Sequence, residues 1–473
     1  MPTKSVDPEF EAMMNRAAMA LQNLPIMSGS HLSPIRSVPV TQNQTLPPSV
    51  SSDRQAATTS AFVSDDIDTL SGSQTEDLTK RSPLITFLTE SDRYVPMFDV
   101  ITRCLPVSDL LNLKRVSKEL QDVYAKAQKS QWNEARAFGN FFKDPTGFRN
   151  KLGEVAGLIS GIFVLRFLAR AGNGNMLDLY ATYGPQADAL EKYLLDVEGY
   201  YVSDEETAPV PSNLNVSRSR KAQTFRSSRD KRLFIYLNHT NSSPMLDILR
   251  GDVYSTAATS IMTATKVYSP FANMTFKSDK AYIIRALDQN AQTHLKDIEH
   301  ARREILDLRF KDRGIAKYRR LNDGDCWVMS LDTCNIATPA VPDYVYDHTD
   351  FLFTDSNHRL SPPENIGSSL HYNCLLGPLL HPGLKHTWLG CVEADNRKDA
   401  IMRRLDAVVW AQLWKLRGRD RPVNWDEMLR TPLLVREMTG YTGKTFDEKL
   451  PEWIKELDDL SPVKTDGPST ATR

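Results

Sequence analysis

Residues 157–180, GLISGIFVLRFLARAGNGNMLDLY, constrain the chain more than any other stretch. Val155–Arg170 reads either as a strand that turns at Gly161 into a helix or as helix throughout. Met176–Ala181 then reads as a short buried strand. A glycine opening a helix lets a phosphate approach backbone N–H groups, so Gly161 and Ile162 mark the place to look for phosphate chemistry. The acidic position downstream reads Asn175-Met176-Leu177-Asp178, with a single carboxylate. One Asp alone does not supply the several oxygen ligands that a hard divalent cation needs.

The totals narrow the class. A chain of 473 residues has room for two or three domains and a large core. A net charge of −1 argues against nucleic acid as a partner, because phosphate contacts demand a basic surface. The cysteines, Cys104, Cys326, Cys334, Cys374 and Cys391, are scattered without a CxxC pair, which argues against a disulfide framework or a zinc ribbon. The first residues lack the apolar core of a signal peptide. The most apolar run, Val155–Leu168, contains Arg166 and is too short to span a bilayer. The expectation is an intracellular protein, cytoplasmic or nuclear, with no membrane contact, no metal and no cofactor.

Residues 1–80 are rich in Ser, Thr and Pro and are expected to be disordered, as is the tail 461–473. One helix is expected near Pro8–Leu24, with Asp7 as its cap. In 93–131 a short amphipathic stretch ends at Leu105-Pro106, and Leu110, Leu113, Val116 and Leu120 follow at helical spacing. Trp132–Lys151 is expected to connect by a helix and a turn, with Asp144-Pro145 as punctuation. Later expectations are a helix over Ala187–Leu195, strands at Tyr200–Val202, Leu233–Leu237 and Cys326–Leu331, and a polar insertion over 203–230. The patterns also predict a small-residue helix over Thr256–Val267, a long amphipathic helix over Ala281–Phe310 and helices at Ala400–Leu416, Trp425–Met428 and Leu450–Leu457.

Two resemblances follow from these residues. The Gly161-Ile162 turn and the Asn175–Asp178 run resemble the active-site unit of the nucleotidyltransferase superfamily with most of its acidic chemistry missing. Ile159-Ser160-Gly161, Leu165, Phe167-Leu168, Leu177-Asp178-Leu179-Tyr180 and Glu198-Gly199-Tyr200 resemble a group of uncharacterised fungal proteins. Those carry an F-box-like N-terminal helical segment and a degenerate nucleotidyltransferase-like domain. The resemblance spans roughly residues 93–335 and includes SSPMLDILRGDVYST and KYRRLNDGDCWVMSLD.

The resemblance implies an α+β fold: an F-box-like segment at 93–131, a nucleotidyltransferase-like mixed sheet with helices at 132–340, and an extension of uncertain fold at 341–460. It implies a partner-binding face of Val95, Pro96, Ile101, Leu105, Pro106, Leu110, Leu113, Val116 and Leu120, docking on a Skp-type adaptor of a cullin–RING ubiquitin ligase. The recruited protein target is unknown. The bland alternative is a helical hairpin packed on the following domain. Gly161, Ile162, Met176 and Asp178 would form a relic nucleotide site, with Ile162 and Met176 facing the old phosphate and metal positions and Arg166 or Arg170 pairing with Asp178. No catalytic residue is assigned, since the strand at 233–237 ends in Asn238-His239 where a third acid is needed. The alternative function is a nucleotide-binding or active enzyme using Asp178.

Three further groups have ordinary readings beside sharper ones. The basic run 217–232 reads as a solvated loop or as a phosphate binder. His371, Cys374, His381, His386 and Cys391 are metal-type residues without the tight pairs of a zinc site. Asp323-Gly324-Asp325 reads as a turn entering a strand, or as a cation loop that lacks its downstream ligands.

Overall fold

A computed structural model of the chain describes residues 93, 95–116, 118–172, 174–203, 222–284, 295–296, 298, 303–307, 318–355, 372–391 and 395–460. The expectations for 1–80 and 461–473 lie outside the described residues. Proline and capping chemistry set the first helices. Pro106 separates α1 (Val95–Cys104) from α2 (Val107–Val116), and its carbonyl accepts from the Asp109 and Leu110 N–H groups. α3 (Lys118–Gln131) leads to α4 (Glu134–Gly139), where the Asn133 side chain accepts from Arg136 N at 2.7 Å. α5 (Pro145–Glu154) starts with Asp144 accepting from Thr146 N at 3.1 Å and Pro145 in its first turn.

Among the described residues, the buried side chains of segment 93–131 form no separate core. Phe98, Val107, Leu110, Val123 and Ala127 are buried in the same apolar cluster as Phe138, Phe163, Leu177 and Leu237 of the sheet region. Polar contacts join the two as well: Gln128 Nε2 donates to Ser330 O, and Trp327 Nε1 donates to Tyr124 OH at 3.1 Å.

The central sheet is mixed, with eight described strands in the order Trp327–Ser330, Lys266–Ser269, Ile261–Met262, Leu158–Ser160, Met176–Thr182, Phe234–Thr240, Ala222–Ser227 and Tyr200–Val202. β1 (Leu158–Ser160) turns at Gly161 into α6 (Ile162–Ala169), which returns the chain to β2 (Met176–Thr182), antiparallel to β1. α7 (Pro185–Asp196) follows, then β3 (Tyr200–Val202), β4 (Ala222–Ser227) and β5 (Phe234–Thr240). β5 is parallel to β2, and β3–β4 and β4–β5 are antiparallel. Side chains alternate along a strand, so the sheet is covered on both faces. Leu177, Leu179, Ile235 and Leu237 join the helical cluster, while Leu158, Tyr180, Ile261 and Tyr268 pack with Phe271, Phe351 and Phe353 on the other side.

The Glu198-Gly199-Tyr200 signature is a structural lock. The buried Glu198 carboxylate accepts from Lys143 N at 2.6 Å and from the Tyr193 hydroxyl at 3.1 Å. Burial, then the Glu198 charge, pushes the Tyr193 phenol well above its usual range. Tyr200 OH donates to Phe141 O at 2.9 Å, which ties the turn before α5 to the sheet. There Phe142 stacks on Phe148 and Phe138 on Phe163.

Beyond β5, a short helix α8 (Pro244–Asp247) and a 3₁₀ turn at Thr256–Thr259 lead into β6 (Ile261–Met262) and β7 (Lys266–Ser269). A helix over 256–267 is therefore corrected. The hydroxyls explain the difference: Thr259 Oγ1 bonds to Thr256 O at 2.7 Å, and Thr263 Oγ1 accepts from Thr265 N at 3.1 Å and Lys266 N at 2.9 Å. Such local bonds compete with helix. The long helix over 281–310 is corrected at both ends, since β8 (Lys280–Ile283) and β9 (Glu304–Asp307) are parallel strands. The polar insertion over 203–230 is also shorter than expected: 222–227 forms β4, inside the sheet.

The rest of the chain adds β10 (Tyr318–Arg320), β11 (Trp327–Ser330), α9 (Asp343–Asp347), β12 (Asp350–Asp355) and β13 (Tyr372–Leu375). β11 closes one edge of the main sheet, and β10, β12 and β13 form a separate one. A hairpin of β14 (Gly377–Leu379) and β15 (Trp388–Gly390) packs beside α10 (Asp395–Lys415), followed by α11 (Trp425–Arg430) and α12 (Leu450–Leu460). In α10, Ile401, Leu405, Val409 and Leu413 are buried as their spacing predicts, while Leu416 lies beyond the helix and is exposed.

Candidate functional site

The turn between β1 and α6 holds three of the residues singled out in the sequence. Gly161 has φ 78° and ψ −150°, a conformation open almost only to glycine. Ser160 pairs with Asp178 across the strands, and Asp178 pairs with Tyr236 of β5. A Cβ placed on Gly161 would fall 2.5 Å from Asp178 Oδ2. Gly161, Asp178 and β5 thus converge on one place. On the Asp178 face, β5 presents Phe234, Tyr236 and Asn238, none of them acidic.

That place is closed by the chain itself. Gly161 N–H donates to Ala258 O at 3.3 Å, so this turn amide is already engaged. Ser160 Oγ, fully buried, reaches Ser260 O at 2.9 Å and Ala258 O at 3.2 Å. The 3₁₀ turn at Thr256–Thr259 therefore caps the end of α6 where a phosphate would have to enter. Ile162 is 3% exposed and belongs to the apolar core. Met176 is half-buried against the same core. Arg170 is corrected as a partner of Asp178: its guanidinium donates to Thr102 O at 3.0 Å, to Leu105 O at 2.5 Å and to the Gln131 side chain.

The helical segment turns part of its predicted docking face inward. Leu110 is fully buried and Leu105 packs half-buried against the core. Ile101 and Pro106 are exposed. The side chains of Val95, Pro96, Leu113, Val116 and Leu120 lie outside the described residues. The outward face of α1 instead carries Met97, Val100 and Ile101, at 60%, 62% and 39% exposure, with the free thiol of Cys104. These positions recur at i, i+3, i+4 and i+7, a spacing visible in the sequence once Phe98 and Thr102 are recognised as the inward face.

The remaining candidates resolve into structural roles. Asp323 Oδ1 accepts from Asp325 N and Cys326 N, each at 3.0 Å, and Arg319 donates to both of its oxygens, as the turn reading requires. His381 is buried; its Nδ1 accepts from Gly383 N at 3.0 Å and its Nε2 faces Asp406. Burial raises the Asp406 pKa, but bonds from His381 and Arg436 outweigh it and hold the carboxyl below its usual range. Cys374 and Cys391 are buried and form no disulfide, and His371 lies outside the described residues. Among the described residues no group of His, Cys, Asp and Glu is arranged to hold a metal ion. In the basic run, Arg226 sits over the Phe234 ring and Arg229 donates to Phe141 O at 2.7 Å.

One feature has no counterpart in the sequence patterns. At the C-terminal end of α6, Arg103, Arg136, Arg166 and Arg170 line one cavity of 240 Å³. They come from three helices, α1, α4 and the end of α6, and only the folded chain assembles them.

No family model, no curated protein and no solved structure matches the chain. Among the described residues no helix is long and apolar enough to cross a membrane.

Proposed function

We propose that the chain is a non-catalytic binding protein with an F-box-like segment and a pseudo-nucleotidyltransferase domain, acting as the substrate-recruiting subunit of a cullin–RING ubiquitin ligase. The observation that carries this reading is the split face of α1. Phe98 and Thr102 are buried in the chain, while Met97, Val100, Ile101 and Cys104 form an apolar stripe in solvent. A helix that exposes such a stripe suits a groove on a partner. By resemblance the partner is a Skp-type adaptor. The absence of catalysis is supported by the closed turn: the Gly161 amide is bonded to Ala258, Ile162 is in the core, and the β5 face beside Asp178 carries no acid.

The test is co-purification of the full chain with the adaptor. Met97→Asp with Val100→Asp changes only exposed side chains and is expected to leave the melting temperature unchanged and to reduce adaptor recovery more than about tenfold. Equal recovery, or none with the unaltered chain, overturns the reading. Leu110→Glu is unsuitable, because a charge at that fully buried site unfolds the segment.

A further inference from the structure

The arginine cavity lies at the opposite end of α6 from the closed turn. Arg166 is in the last turn of the helix and Arg170 is its C-cap, held at φ 56°. A non-glycine residue in that left-handed conformation is strained, so the position is held by its contacts. Besides its three acceptors, the Arg170 guanidinium lies 5.3 Å from the centre of the Trp132 ring. Its Nε is buried and has no hydrogen-bond partner. Arg103 reaches the same cavity from α1. It is exposed and makes no hydrogen bond or ion pair among the described residues.

The partners of Arg170 differ from those of several other arginines in the fold. Arg149 pairs with Glu134, Arg319 with Asp323, Arg320 with Asp350 and Asp458, and Arg436 with Asp406. Arg170 is half-buried with carbonyl and amide acceptors only, and no carboxylate lines the cavity among the described residues. Burial first, and then the neighbouring Arg103 charge, lowers the Arg170 pKa. Like charges held together in this way repel one another, and a bound anion offsets that repulsion.

We propose that this cavity is an anion site for a linear phosphate chain of two or three phosphoryl groups, gripped by Arg103 and Arg170 with Arg136 and Arg166 completing the ring. Arginine suits phosphate because its planar fork donates two parallel bonds to one group. The volume of 240 Å³ is smaller than a typical small-molecule pocket, so it fits the phosphate chain and leaves any attached organic group outside. The site is separate from the relic turn at Gly161 and independent of the adaptor reading.

The experiment is calorimetric titration of the full chain, without magnesium, with inorganic tripolyphosphate and with ATP, on the natural sequence, Arg103→Glu and Arg103→Lys. Tripolyphosphate is expected to bind saturably at one site. Arg103→Glu should weaken it at least tenfold while leaving the unliganded melting temperature unchanged, since Arg103 holds no structural bond among the described residues. Arg103→Lys should keep most of the affinity. ATP binding with similar strength identifies a nucleotide-borne chain as the source; ATP failing where tripolyphosphate binds identifies a free polyphosphate. No saturable binding of either anion overturns the proposal. So does affinity that Arg103→Glu leaves unchanged, which would place the anion on another basic surface such as 217–232.

Discussion

The two ends of α6 differ in what surrounds them: one is engaged by the chain's own segment 256–260 and the other is lined by arginines. The N-terminal end of a helix carries partial positive charge and is the ordinary place for an anion, while the C-terminal end carries partial negative charge. Here the N-terminal end is shut: the Gly161 amide is spent on Ala258 O, the Ser160 hydroxyl is spent on the same segment, and the nearest ionisable side chain is Asp178. The C-terminal end is open and lined by arginines. Their charge complements the helix dipole, yet Arg170 and Arg103 still repel one another. The N-terminal turn amide is thus engaged within the chain, while arginines from separate helices gather at the other end.

The largest effect that would test this contrast is at Gly161. Gly161→Ala puts a Cβ 2.5 Å from Asp178 Oδ2 at φ 78°, combining backbone strain with a clash. The expected loss is roughly 3 kcal/mol or more in urea unfolding. Gly172, near the open end, also has positive φ, at 77°, but a Cβ there would meet no described atom within 4 Å. Gly172→Ala should cost about 1 kcal/mol. Equal losses would mean that the N-terminal end is not tightly closed.

Arg170→Ala comes next. It removes the bonds to Thr102 O, Leu105 O and Gln131 and the contact with Trp132. A loss of about 2–4 kcal/mol is expected, as for other broken networks with buried partners. Hydrogen exchange should show α1 and α2 opening while β2 and β5 stay protected. Uniform loss of protection would show instead that the helical segment and the sheet open as one.

How far these features were legible in the sequence follows from their range. The β1–Gly161–α6–β2 unit was legible, because a glycine, an apolar helix and a short strand lie within one local stretch. Pro106, Asn133 and Asp144-Pro145 also marked helix boundaries through local chemistry. The inward role of Leu110 was not legible, since an amphipathic stripe reads the same whether a partner or the chain's own sheet covers it. The helix expected over 256–267 failed because small residues favour helix on average, while the hydroxyls of Thr259 and Thr263 take up local backbone bonds. The arginine cavity was invisible because Arg103 and Arg170 are 67 positions apart in sequence and meet only through the docking of α1 on α6.

The smallest expected effect is the sharpest discriminator between the two ends. Asp178→Asn keeps the shape that fits under Gly161 and removes the charge. Stability is expected to change by no more than about 1 kcal/mol, because the residue is half-buried and the amide retains a hydrogen-bonding oxygen. Tripolyphosphate affinity is expected to stay unchanged. α6 has 8 residues, so its ends are about 12 Å apart at 1.5 Å per residue, beyond the screening length of about 8 Å at physiological salt. If Asp178→Asn strengthened tripolyphosphate binding tenfold while Arg103→Glu did nothing, the anion would sit at the N-terminal end. The turn at Gly161 would then be an open phosphate site, and the contrast between the two ends of the helix would be reversed.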